Sequence, residues 1–250
     1  MDSGLYAAYT GLLSRTQALD IAANNLANAG TNGFRAQRET FRNVLSSGLQ
    51  EGAPGSQVGN TINSFGVLGG SRADLAQGPM VPTANPLDLA LNGTGYFAIE
   101  TAHGVRYTRD GAFRRLTDGT LATGAGEPVL NAESKHIVLP SGDLEVSANG
   151  TVSVKTAAGS AVAGRVGTFD FPHPGALVQE GSNRFQAGGQ KAFSTETTIK
   201  AGALEGANED AVHGSMQLVL IQRQAEMMQK ALSVFHNDFD KTAVEQIARL

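Results

Sequence analysis

Hydrophobic and polar spacing divides the chain into three stretches. Leucine recurs every seventh position near the start, at Leu5, Leu12, Leu19 and Leu26, with Tyr9, Thr16 and Ala23 four residues after the first three. That three-four alternation is the seam of a coiled-coil helix. Only Asp2, Arg15 and Asp20 carry charge before the helix end, whereas a solvated helix is well charged over its outer face. A cover other than water is expected. The run Asn28-Ala29-Gly30-Thr31-Asn32-Gly33 should end the helix, because Gly and Asn tolerate left-handed backbone.

The other end repeats the pattern. Leu218, Ile221, Ala225, Met228, Leu232, Phe235, Phe239 and Thr242 follow one another at spacings of three and four without a slip. A second stripe, Met216, Val219, Leu220, Met227, Ala231 and Val234, makes the apolar surface wider than one seam needs and predicts more than one neighbour. Asn208, Glu209 and Asp210 supply capping and negative charge where the helix should begin. Two arrangements fit these seams: an antiparallel pair within one chain, or a coat of helices between chains. The sparse charge of the first helix favours the second.

Between the helices, a passage from Gly48 to Ser71 contains seven glycines and little periodicity, which predicts an extended linker. From about residue 85, short alternating runs appear: Leu87 to Leu91, Tyr96 to Ile99, Val105 to Thr108, Leu144 to Ser147, Thr151 to Lys155 and Arg165 to Phe171. Asn92-Gly93, Asp110-Gly111, Asp118-Gly119 and Asn149-Gly150 punctuate them, the composition tight hairpins require. An antiparallel β domain over 85–200 follows.

Composition narrows the function classes. The 250 residues carry 19 basic and 23 acidic side chains, a net charge of −4, and Lys and Arg form no patch. Nucleic acid is therefore not an expected partner. Arg35, Arg38 and Arg42 are spread around a helix-like stretch and read as a solvated face. Cysteine is absent, which removes disulfides, thiolate metal sites and Cys nucleophiles. No apolar run reaches the length of a membrane-spanning helix, and Asp2 stands where a cleaved secretion signal carries positive charge.

Candidate chemistry is sparse. Gly93-Thr94-Gly95 lacks the third glycine of a dinucleotide fingerprint and reads as a turn. The five histidines show no pair on one helical face, so no metal site is expected. Asp88, Asp110, Asp118 and Asp143 could supply a carboxylate pair for glycoside chemistry, but turn aspartates commonly bond their own backbone. No catalytic residue, cofactor or metal is assigned.

One run is more specific. Ala22-Ala23-Asn24-Asn25-Leu26-Ala27-Asn28-Ala29-Gly30-Thr31-Asn32-Gly33-Phe34-Arg35 resembles the N-terminal signature of bacterial flagellar rod and hook proteins. The resemblance continues through Pro86 to Leu91, Gly95-Tyr96-Phe97 and Tyr107-Thr108-Arg109-Asp110-Gly111-Ala112-Phe113, and resumes at Gly202 to Asn208 and Gln222-Arg223. One departure is Ala207-Asn208-Glu209, where the family usually has Ser-Asn-Val. The resemblance implies a structural subunit of the axial drive shaft, exported by the flagellar type III apparatus without a cleaved signal and assembled with other axial proteins in the periplasm. Direct membrane insertion is not implied.

The expected fold is α+β: terminal helices forming a coiled-coil-like helical domain and a central antiparallel β domain. Its expected parts are a helix over 1–34, a linker over 35–84, the β domain over 85–200, and a return loop with helix over 201–250. The expected assembly interface is Leu5, Tyr9, Leu12, Leu19, Asn25, Leu26 and Phe34 from the first half, with Leu218, Ile221, Met228, Leu232, Phe235 and Phe239 from the second. Two other classes predict different behaviour: an oligomerised adhesin or carbohydrate-binding β module, and a glycan-active enzyme.

Overall fold

Two long helices, one at each end of the chain, flank a body built of short strands. The computed structural model describes residues 2–44, 65–156, 159–181 and 183–247, with side chains described over 9–40, 70–155, 159–181 and 183–234. The chain divides into two compact units: Met1–Leu26, Gln37–Arg72 and Ala211–Leu250 form the first, Ala27–Ala36 and Ala73–Asp210 the second.

The first unit contains α1 (Asp2–Ala27), the paired strands β1 (Gln37–Val44) and β2 (Phe65–Ala73), and α2 (Ala211–Ile247). On α1 the buried residues are Ser14, Ala18, Ala22 and Asn25, four, four and three apart. Leu12, Leu19 and Leu26 are only half-buried beside them, and Tyr9 and Leu13 are exposed. On α2 the least exposed stripe is Gly214, Leu218, Ile221, Ala225, Met228 and Leu232; the last five are positions of the expected seam, whose Phe235, Phe239 and Thr242 side chains lie outside the described residues. The Cβ position of Gly11 lies 3.4 Å from Met228 Cε, so small residues on α1 admit side chains from α2 at close range.

The expectation of a coiled-coil-like helical domain is overturned. Among the described residues there are two α-helices and a mostly β body, although the broader α+β class fits. The reason lies in helix geometry. At 3.6 residues per turn a seven-residue repeat drifts by roughly 20° per heptad. The α1 leucines consequently fall roughly 100° around the helix from the small-residue stripe that is buried. The stretch holding Arg35, Arg38 and Arg42 is also not helical: residues 37–44 are strand β1, and Arg35 is buried rather than solvated. The middle of the Gly-rich passage, residues 45–64, lies outside the described residues.

The second unit is antiparallel in every pairing whose register is described. Its strands are β3 (Met80–Pro82), β4 (Leu89–Asn92), β5 (Tyr96–Thr101), β6 (Gly104–Thr108), β7 (Phe113–Arg115), β8 (Leu121–Thr123), β9 (Asp143–Val146), β10 (Thr151–Thr156), β11 (Gly159–Arg165), β12 (Thr168–Asp170), β13 (Val178–Glu180), β14 (Arg184–Gln186), β15 (Phe193–Ser194), β16 (Thr198–Ala201) and β17 (Ala203–Glu205). The largest sheet runs β13-β14-β6-β5-β12-β15, a second runs β11-β10-β9, and β16-β4, β17-β3 and β7-β8 are two-stranded. The β9–β10 hairpin turns at Asn149-Gly150, where Gly150 takes φ +81° and Asn149 Oδ1 accepts the Thr151 N–H.

β5 organises the packing. Its first four residues are all buried, because each face meets a different cluster. Phe97 and Ile99 enter the main core with Leu89, Leu91, Phe113 and Leu121. Tyr96 packs on the other side with Phe171 and Phe185. Fully burying each large apolar side chain contributes about 1.5–3 kcal/mol, so this unit carries its own core.

Candidate functional site: a buried charged joint

The chain passes between the two units at 26/27, 36/37, 72/73 and 210/211. The second-unit segments beside these crossings are tied together by side chains far apart in sequence. At the centre is Glu205, the last residue of β17, held in register by its pairing with Met80 of β3. Glu205 is fully buried, and its Oε1 lies 2.6 Å from Nη2 of Arg35 while Oε2 lies 3.1 Å from Nη1 of Arg109. Oε1 also accepts the Gly78 N–H at 3.0 Å. One carboxylate thus faces two guanidinium groups and a backbone donor in a dry site, where charge-assisted contacts are strong.

Arg109 is fixed on three sides. Besides Glu205, its Nη2 donates to the Gly93 carbonyl at 2.7 Å and its guanidinium lies 5.3 Å from the centre of the Tyr96 ring. Burial pulls the Arg109 pKa below its ordinary value; Glu205 opposes that shift and Arg35 adds to it. Burial likewise raises the Tyr96 phenol. Two guanidinium groups and one carboxylate leave the joint with one net positive charge, and Arg35 Nε and Nη1 have no hydrogen-bond partner among the described residues.

The local backbone makes this approach possible. Gly33 takes φ +67°, and a Cβ there would lie 2.4 Å from the Asp110 nitrogen. Its N–H donates to the Glu205 carbonyl at 2.8 Å, which brings the chain after α1 onto β17. Phe34 and Ala36 then bury against Ala207.

Asn208 closes the arrangement. Its Oδ1 accepts the Ala36 N–H at 2.7 Å, and its Nδ2 donates to the carbonyls of Asp74 at 2.8 Å and Ala76 at 3.0 Å. The Asp74 N–H returns to the Ala36 carbonyl at 2.7 Å. One amide thus binds segments leading to three of the four crossings and itself precedes the last. Asn25 plays a comparable part within the first unit, accepting the Gln37 N–H at 2.8 Å and donating to its carbonyl at 2.9 Å.

The expected interface residues fall into separate environments. Phe34 is fully buried and Asn25 is bonded within its own unit. Leu12, Leu19, Leu26, Leu218, Ile221 and Met228 are half-buried, Leu232 is buried, and Tyr9 is 58% exposed. The side chains of Leu5, Phe235 and Phe239 lie outside the described residues. Asp110 and Asp118 each accept the backbone N–H two residues on. Charge pattern did not reveal the joint: Arg35 read as solvated, and Glu205 and Arg109 drew notice only as letters of the resemblance. The signal available was that resemblance, whose segments 33–35, 107–113 and 202–208 meet at this place.

A buried clasp thus ties the chain that follows the first helix to the segment that precedes the last helix. Comparison with known proteins defines the class. Residues 5–35 match the family described as flagella basal body rod protein, and residues 90–154 match the flagellar hook protein FlgE/F/G D1 domain. The flagellar basal-body rod protein FlgF of Caulobacter vibrioides is 31% identical over 100% of both chains. FlgF of Escherichia coli is 33% identical over 91% of this chain and 93% of its own. FlgG of Bacillus subtilis is 30% identical over 92% and 93%. The chain belongs to the flagellar basal-body rod proteins, a structural family of the basal body that includes FlgF and FlgG.

Proposed function

We propose that this chain is a FlgF-type rod subunit that works as a structural element, assembling through its terminal helices with copies of itself and neighbouring axial subunits to transmit torque. FlgF is favoured over FlgG by the end-to-end match to a FlgF chain. Export through the flagellar type III apparatus without a cleaved signal, to a periplasmic position, belongs to the same reading.

The observation that carries it is apolar surface left on the helices. Val212, Met216, Leu220, Met227 and Val234 on α2 are all more than half exposed, as are Tyr9 and Leu13 on α1. Contiguous apolar side chains of this size mark a surface that meets another protein. Packing between unlike patches on successive subunits produces an open helix when the rotation does not close, the symmetry of a shaft.

The test is incorporation. Leu13→Asp and Met227→Asp, at exposed apolar positions of the two helices, are each expected to abolish rod assembly and swimming while the β unit stays folded by circular dichroism. Normal rods and motility in both variants would sink the assignment of these helices to assembly.

A further inference from the structure

A cleft of about 140 Å³ opens in the β unit, lined by Ile99, Thr108, Asp110, Glu127, Asn183 and Arg184. Its volume is below the roughly 300–1,000 Å³ of ordinary small-molecule sites. It suits the end of one side chain better than a whole metabolite.

The charges in its wall are unbalanced. Glu127 Oε1 is paired with Arg184 Nη1 at 2.8 Å. Asp110 has only neutral donors: the Ala112 N–H at 3.0 Å on Oδ1 and the Asn183 amide at 3.0 Å on Oδ2. No cation pairs with it among the described residues. Burial pushes its carboxyl above the ordinary range, and nearby Asp88 adds to that shift. The group is also held rigidly, since Thr108 Oγ1 accepts the Asp110 N–H while donating to the Asn183 carbonyl at 2.7 Å. A half-buried carboxylate, positioned and lacking a counter-charge, is a poor feature unless a cation arrives.

We propose that this cleft receives the charged end of an arginine or lysine side chain presented by another polypeptide, with Asp110 as its counter-ion. Ile99 gives the methylene stem an apolar wall, and Thr108 and Thr123 complete the lining. The gain is electrostatic and directional, so it selects the register of the incoming chain more than it adds raw affinity.

The experiment is a titration of the full-length, 15N-labelled protein with Nα-acetyl-arginine amide, Nα-acetyl-lysine amide and the neutral citrulline counterpart, following backbone amide resonances. At least one charged probe is expected to shift the amides of Thr108, Gly124, Glu127 and Asn183 saturably, and the citrulline probe is not. Asp110→Asn should weaken the response by about tenfold or more, the loss of a charge-assisted contact. Gly124→Leu provides a second variant, because Gly124 lines the cleft and a Cβ there meets no atom within 4 Å, so bulk is added to the lining without a backbone clash. It should also weaken binding. Equal shifts from the neutral probe, an undiminished response in both variants, or N-acetylglucosamine moving these amides when the charged probes do not would overturn the proposal. None of these results bears on membership of the rod family or on the role of the helices.

Discussion

The two units treat their large side chains in opposite ways. In the β unit, Leu89, Leu91, Phe97, Leu121 and Phe185 are fully buried, and charged Arg35, Arg109 and Glu205 are buried with them. In the helical unit the buried residues of α1 are small, Ser14, Ala18 and Ala22, while Leu13 stays 60% exposed and Met227 on α2 stays 63% exposed. One unit has its core inside its own chain. The other leaves apolar surface exposed on its helices, the surface whose burial the proposed assembly would supply.

The sharpest way to break that contrast is to remove the acid that holds the β-unit joint. Glu205→Ala strands two guanidinium groups in a dry site, which is expected to cost about 3–5 kcal/mol. Urea unfolding followed by far-ultraviolet circular dichroism checks it. A loss below about 1 kcal/mol would mean that water reaches Arg35 and Arg109 and that the joint is not the closed element described above.

Gly33→Ala tests the backbone of the same place. The substitution puts a Cβ against the Asp110 nitrogen and asks alanine to hold φ +67°. About 1–3 kcal/mol of destabilisation is expected from the strained backbone, with the clash adding to it. The same unfolding experiment reads the result, and an unchanged midpoint would show that the turn after α1 can relax without loosening the clasp.

How much of this was legible in the sequence follows from distance along the chain. Asn149-Gly150 announces its hairpin because a tight turn is local chemistry. The α2 seam from Leu218 to Leu232 was legible because helix packing repeats every few residues. The α1 heptad misled because leucine at every seventh position does not identify which side of a straight helix is buried when a stripe of Ser and Ala lies beside it. Arg35 and Glu205 stand 205 − 35 = 170 positions apart, and a lone buried acid has the same letter as an exposed one. Only the resemblance placed their segments in one family pattern, and it gave no geometry. The strands β1 and β2 were hidden because glycine and polar residues there carry no alternation.

The smallest expected effect completes the comparison on a single helix. Met227 and Ala225 are two positions apart on α2, yet Met227 is exposed and Ala225 is buried. Met227→Gln is therefore expected to change the stability of the isolated chain by less than about 0.5 kcal/mol. Ala225→Gln forces a larger polar side chain into a close-packed stripe and should cost about 1–3 kcal/mol. Thermal unfolding of the two variants side by side separates the faces. Equal losses would mean that Met227 is already covered within the chain, and the apolar surface assigned to a neighbour would shrink to the positions nearer the start of the helix, Val212, Met216 and Leu220.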